Sequence, residues 1–181
     1  MRIIFISGEG HGAGKTYLAK KIASGINQIF SIANMIRQEL ESEYPKYDWY
    51  NKEPRYKTFT ILDETQKSVH EMLIERGLER KKKNPTYGAK QLIDVIKYNT
   101  ANNALDFIII DDIRYFDEYE YIKRYFEKAN ITHFHVLNPH AKKEVQFDNN
   151  KLKECADYVL ISKRVLRYRN LNLTKKEEAA E

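Results

Sequence analysis

Two short segments of this chain carry the residue types that could do chemistry. The first is Gly8-Glu9-Gly10-His11-Gly12-Ala13-Gly14-Lys15-Thr16. A glycine-rich run ending in Gly-Lys-Thr presents successive backbone N–H groups, an ammonium and a hydroxyl to one anion. That set suits a polyphosphate. The amides of Gly10, His11, Gly12, Ala13 and Gly14 would wrap the phosphates, Lys15 would bridge the β- and γ-phosphates, and Thr16 would place its hydroxyl on Mg²⁺. The second segment is Asp111-Asp112-Ile113-Arg114, at the end of an apolar run. A carboxylate there can hold a divalent cation, directly or through water. An arginine two residues on can clamp a phosphoryl oxygen with paired hydrogen bonds.

The glycine run is out of step with the phosphate-loop pattern G-x-x-x-x-G-K-[ST]. Counting back from Gly14-Lys15-Thr16, its first glycine falls on Glu9. Gly8 and Gly10 flank that position and are expected to share its role in a loop one residue longer, letting the chain leave the preceding strand without steric cost. Glu9 is expected to point away from the ligand.

These residues need elements to position them. RIIFIS (2–7) is a short apolar run ending at a glycine, the pattern of a buried parallel strand. A helix is predicted over 14–26, with Leu18, Ile22 and Ile26 on one face. QIFSIA (28–33) reads as a second strand and 34–43 as a helix. Residues 44–57, with Pro45 and Pro54, read as a loop. A helix is expected over 59–77, with Val69, Met72 and Leu73 on its apolar face and Gly77 as its stop. RKKKN (80–84) reads as a basic loop, and Asn84-Pro85 as the cap of a helix burying Ala89, Leu92, Ile93 and Ile96. LDFIIIDD (105–112), ITHFHVL (131–137) and ADYVLIS (156–162) are the remaining strands, with a helix over 116–128 and a polar connection over 138–150.

Strands alternating with helices predict an α/β fold: a mostly parallel sheet with helices on both faces, in three layers. The reading is one domain over residues 1–170, with a helical substrate-side insertion over about 34–100 and a frayed tail over 171–181. The aspartates then fall at the carboxyl end of a parallel strand, the edge where such sheets bind ligands.

Composition narrows the class. The chain has 181 residues, 42% apolar and 31% charged, which suits one soluble domain. No stretch reaches the roughly 18 uncharged apolar residues of a membrane span, and the first strand is too short for a signal peptide. A single cysteine, Cys155, excludes an internal disulfide and fits a reducing cytosol. The expected compartment is therefore the cytoplasm, a host's if the chain is viral. A net charge of +5 suits a polyanionic ligand, nucleotide or nucleic acid.

With these segments in place, the chain resembles a known family. FIIIDDIRYFDEYEYIKR looks like the strand–Asp–x–Arg–x–x–x–Glu–helix segment of the deoxynucleoside monophosphate kinases of tailed bacteriophages. Animal-type phosphomevalonate kinases share a related segment. IIFISGEGHGAGKT, FSIANMIRQEL, RGLERKKKNPTYGAKQLI, ITHFHVLNP and ADYVLIS resemble further segments of that family, in the same order. The likeness spans about 160 residues, and its sharp parts are the glycine loop and Asp112-x-Arg114. It departs where Asn138 stands in place of a frequent arginine before Pro139, and where the stretch after Pro139 leaves only Lys142 and Lys143 to build a small lid.

The resemblance implies a P-loop fold and transfer of a phosphoryl group from MgATP to a nucleoside monophosphate. Lys15, Asp112 and Arg114 would be catalytic, Thr16 and Asp112 would hold Mg²⁺, and Arg37, Arg55, Arg80 and Arg114 would grip the acceptor. Two anions that repel each other need cations between them, which is why acceptor-side cations are sought, with Lys57 and Arg76 as further candidates beside these arginines. Tyr47, Trp49 and Tyr50 could stack on a base or pack the insertion.

The basic segments RKKK (80–83) and KRVLRYR (163–169) admit a second class, a polynucleotide kinase or nucleic-acid-stimulated ATPase. That class is not favoured, because no appended binding module is present. No Asn-Lys-x-Asp guanine motif follows Asp112, which argues against a GTPase. His133 and His135 fall on one face of a strand and read as structural. Small nucleotides are the expected partners. The sequence does not fix the oligomeric state and allows a homodimer.

Overall fold

A computed structural model describes residues 1–10, 12–23, 29–51, 53–102, 105, 107–139, 147–162 and 171–175. The elements run β1 (Arg2–Gly8), α1 (Lys15–Ile22), β2 (Ile29–Ser31), α2 (Ile32–Glu43), α3 (Pro54–Phe59), α4 (Val69–Lys83) and α5 (Tyr87–Asn102). They continue β3 (Phe107–Ile113), α6 (Phe116–Tyr125), β4 (Asn130–Leu137), α7 (Asn149–Glu154), β5 (Tyr158–Ser162) and β6 (Leu171–Lys175).

The strands make one sheet in the order β2-β3-β1-β4-β5-β6. The first five are parallel, and β6 pairs antiparallel with β5. Strand β1 sits centrally because its apolar residues face both ways. Ile3 and Phe5 join Ala89, Leu92, Ile93 and Ile96 of α5, Tyr119 and Ile122 of α6 and Leu152 of α7 on one face. Ile4 and Ile6 meet Leu18 and Ala19 of α1 on the other. A third cluster, Ile36, Leu40, Trp49, Leu62, Val69 and Met72, lies within the helical insertion. Each cluster removes apolar surface from water, which is the main favourable term holding the three layers together.

Several expectations are corrected. Helix α4 begins at Val69, ten residues later than expected, because Ser68 and Glu71 form a reciprocal capping box there. It then runs through Gly77 to Lys83, so Arg80–Lys83 are its last turn and not a loop. Gly77 costs the helix about 1 kcal/mol against alanine. Tertiary pairing outweighs that cost: Arg76 grips Glu43 of α2 with both terminal nitrogens, and Arg80 Nε donates to Glu39 Oε2 at 2.8 Å. Residues 54–57, expected as loop, start α3, with Pro54 in the first helical turn where its missing N–H costs nothing. The connection after β4 contains α7. Residues 171–175, assigned to a frayed tail, pair as β6. The assignments to His11, Ile26, Gln28, Lys142, Lys143, residues 163–169 and residues 176–181 lie outside the described residues.

Trp49 is fully buried in the insertion core and donates its indole N–H to the Tyr44 carbonyl at 2.9 Å. Packing, and not base stacking, accounts for it.

Candidate nucleotide site and adjoining cavity

The out-of-step glycines are explained by geometry. A Cβ on Gly8 would lie 2.5 Å from the Val136 carbonyl oxygen and 3.3 Å from Lys15 Cγ. Only glycine lets β1 end this close to β4, where Glu9 N–H donates to Val136 O at 3.1 Å. Gly10, Gly12 and Gly14 then take left-handed φ values of 67°, 80° and 105°, a conformation that side chains resist. Gly8 thus makes the close approach and Gly10 makes the first left-handed turn. The loop ends on Gly14, the N-cap of α1, so Lys15 and Thr16 open the helix. Lys15 is buried, and its ammonium donates to the Gly10 carbonyl at 2.9 Å and the Gly8 carbonyl at 3.5 Å. Asn138 steadies the loop from β4's end, its amide donating to Gly12 O at 3.3 Å.

Two consecutive aspartates on a regular strand would face opposite sides of the sheet. Here β3 bulges. Phe5 pairs with Ile110 and Ser7 with Ile113, so Asp111 and Asp112 together face the single residue Ile6. Asp112 takes a φ of 61°, rare for a non-glycine residue and a form of strain that clusters at functional sites. The bulge delivers both carboxylates to the loop edge. Thr16 Oγ1 donates to Asp111 Oδ2 at 3.1 Å, and Asp111 is buried. Asp112 Oδ1 lies 3.4 Å from Lys15 Nζ. Arg114 Nε and Nη2 each donate to Asp112 at 3.1 Å.

Burial works against the charge of Asp112, but Arg114 and Lys15, with Arg37 behind them, outweigh it and hold its carboxyl well below the usual range. The sequence assigned the metal to Thr16 and Asp112. The carboxylate that touches Thr16 is Asp111, while Asp112 sits among three cations. Thr16 and the two carboxylates form an oxygen-donor set of the kind a magnesium ion takes.

A cavity of about 130 Å³ adjoins this edge. Asp112, Arg114, Arg37, Lys57, His70 and Arg80 give its lining charged and polar groups, and Ile36, Leu73, Ile74 and Leu78 give it apolar walls. Arg37 comes from α2. Burial pulls its guanidinium down, opposed by Asp112 and Asp111, and it donates to Asn34 Oδ1 at 2.6 Å. Its Nε–H is buried with no hydrogen-bond partner among the described residues. A buried donor left unpaired costs roughly 1–3 kcal/mol, so an anion that pairs it gains correspondingly.

Of the four predicted acceptor residues, the structure brings Arg37, Arg80 and Arg114 to the cavity. Arg55 is exposed on α3 and does not line it, whereas Lys57, two residues on, is buried and does. Helical phase makes the difference, and a stretch read as a loop carries no phase. Lys81, read with the basic run 80–83, and Glu118, the glutamate of the Asp–x–Arg–x–x–x–Glu segment, also line the cavity, and neither was assigned to the acceptor. His133 and His135 are buried away from it, with Ser7 Oγ at 2.7 Å from His133 Nε2 and 2.8 Å from His135 Nδ1. Burial and the neighbouring His133 push the His135 pKa down to about 3.

A parallel sheet ordered β2-β3-β1-β4-β5, a glycine loop joining β1 to α1, and acidic residues closing the adjacent strand make up a three-layer α/β fold with helices on both faces. No protein-family model matches the chain, and no curated protein matches it. Among solved structures it is similar to the tunicamycin resistance protein of Deinococcus radiodurans, with 15% identity over 84% of this chain and 76% of that one, at a TM-score of 0.39. No helix among the described residues is long and apolar enough to cross a membrane.

Proposed function

We propose that this protein transfers the γ-phosphoryl group of ATP to a (deoxy)nucleoside monophosphate, giving the diphosphate. One observation carries the reading. Asp112 lies 3.4 Å from Lys15 of the phosphate loop and also lines the cavity that holds Arg37 and Arg114. A donor cradle and a cationic acceptor pocket therefore meet at one carboxylate.

In this reading the loop amides and Lys15 hold the triphosphate. Arg37 and Arg114, with Lys57 and Arg80 beside them, hold the acceptor phosphate. An acceptor oxygen attacks the γ-phosphorus, the bond to the β–γ bridging oxygen breaks, and ADP leaves with that electron pair. The chain's work is positioning and charge neutralisation, the main contributions available in phosphoryl transfer. Thr16 and Asp111 would hold Mg²⁺, which when bound neutralises charge on the phosphate oxygens. Asp112 would orient Lys15 and Arg114 towards the transferring group.

The lining of the cavity supports a small acceptor. Arg80 and Lys81, half of the basic run that suggested nucleic acid, line its interior. The deciding experiment is an ADP-release assay with MgATP against each nucleoside and deoxynucleoside monophosphate, phosphomevalonate and a 5′-hydroxyl oligonucleotide. Stimulation by one or a few nucleoside monophosphates is expected. Turnover with phosphomevalonate alone would keep the phosphotransferase and change its acceptor. Turnover with the oligonucleotide alone would sink the small-acceptor reading.

A further inference from the structure

Glu118 lines the same cavity and is buried, with a relative exposure of 7%. Three elements face it. Lys81 approaches from α4, a Cβ on Gly88 of α5 would lie 3.5 Å from Glu118 Oε1, and Asp112 and Arg114 act on it from the end of β3. Its position in α6 has a local explanation. Tyr115 is the N-cap, and its backbone N–H donates to the Glu118 carboxylate three residues on, one half of a capping box. Capping accounts for a glutamate here but not for its burial. Capping glutamates ordinarily keep their charge in water, and removing a carboxylate from water is costly unless something pairs it. Burial raises the Glu118 pKa to about 7, against the pull of Lys81. The carboxyl group that carries this cost sits in the cavity wall, within electrostatic reach of Asp112 and Arg114.

We infer that Glu118 is a specificity-determining residue, accepting a hydrogen bond from a hydroxyl on the acceptor's body, close to the phosphate held by Arg37 and Arg114. The inference rests on the monophosphate-kinase reading. It narrows the substrate class to monophosphates of a hydroxylated body, such as the sugar of a nucleotide. A site built around a substrate hydroxyl rejects the analogue that lacks it, because its own buried polar group is then left unpaired.

The test compares kcat/KM for the preferred deoxynucleoside monophosphate and its 2′,3′-dideoxy analogue, in wild type, Glu118→Gln and Glu118→Leu. Glutamine retains the cap and the shape while removing the charge. Wild type is expected to favour the hydroxylated acceptor on the order of 10²-fold or more. Glu118→Gln is expected to lose about tenfold of that preference, and Glu118→Leu nearly all of it. The MgATP dissociation constant should hold within about twofold in both variants, which separates acceptor reading from a damaged fold. Should Glu118→Leu fail to fold, Glu118→Gln alone still decides the matter. A preference that survives both substitutions, or is absent from wild type, would overturn the role of Glu118 and leave the kinase reading standing. Silence with every monophosphate would overturn the kinase reading and this inference with it.

Discussion

Thr16 donates its hydroxyl to Asp111 Oδ2 at 3.1 Å, across the gap between the first turn of α1 and the bulged end of β3. The contact divides the labour of two adjacent carboxylates. Asp111 pairs with the hydroxyl expected on Mg²⁺, and Asp112 with Lys15 and Arg114. Under the proposed function, Asp111→Asn should raise the Mg²⁺ concentration for half-maximal activity by tenfold or more, on the order of one charge-assisted contact. Asp112→Asn should lower kcat with a smaller change in Mg²⁺ demand. Magnesium titrations of the two variants read the difference, and equal shifts would refute the division.

Lys15→Ala should lower kcat on the order of 10²–10³-fold or more, the scale of removing one preorganised positive donor from a transition state. Circular dichroism and the melting temperature should stay close to those of wild type. Near-full activity in this variant would end the phosphate-loop assignment.

Arg37 and Arg55 make a matched pair. Arg37→Met removes a half-buried guanidinium from the cavity and should raise the acceptor KM by tenfold or more while leaving the KM for ATP unchanged. Arg55→Met alters an exposed charge and should change both constants by less than about twofold. Steady-state kinetics with each substrate varied in turn checks both.

Gly8→Ala should destabilise the protein by about 1–3 kcal/mol, because its methyl would overlap the backbone oxygen of Val136 at 2.5 Å. For a chain of this size that is a fall of several degrees in melting temperature. The added stabilisation by MgATP should also shrink, since Lys15 lies against the same site. A variant as stable as wild type would show that β1 and β4 can part at no cost.

Glu118 gives the stability a defined pH dependence. Its folded pKa, about 7, lies above the ordinary glutamate value of 4.5, so the folded state binds the extra proton between those values. Stability from this group is therefore full below about pH 4.5 and is lost as pH rises through 7. His135, lowered from 6.5 to about 3, runs the other way and costs stability as pH falls. Comparing wild type with Glu118→Gln cancels the histidine. The variant should gain on the order of 3 kcal/mol relative to wild type between pH 4.5 and 8. Urea unfolding of both proteins at those two pH values measures it, and parallel profiles would count against a buried, destabilised carboxyl.

Much of this was legible because it is local. The strand–glycine loop–helix order at residues 2–22 is written in a run of apolar residues, a glycine cluster and one amphipathic period. The buried face of α5, with Ala89, Leu92, Ile93 and Ile96, followed from spacing alone. The capping signal Ser68-x-x-Glu71 is also present in the sequence and marks the true start of α4, while Gly77, read as its stop, lies inside it. Isolated glycine ends a helix only when nothing else holds the next turn, and here Glu39 and Glu43 of α2 hold it.

The sequence by itself therefore determined the layers, the loop and the edge where chemistry would gather, since each depends on neighbours within a few turns of chain. Tertiary structure decided which side chains share the site. The extra residue in β3 that turns Asp111 towards Thr16 is visible only against β1. The choice of Lys57 over Arg55 depends on the phase of a six-residue helix. Glu118 belongs to the Asp–x–Arg–x–x–x–Glu segment of the sequence, but its burial exists only once α4, α5 and β3 close around it. Period and propensity act along the chain, whereas the dielectric, charge and shape of a cavity are set by elements brought together from far apart in sequence.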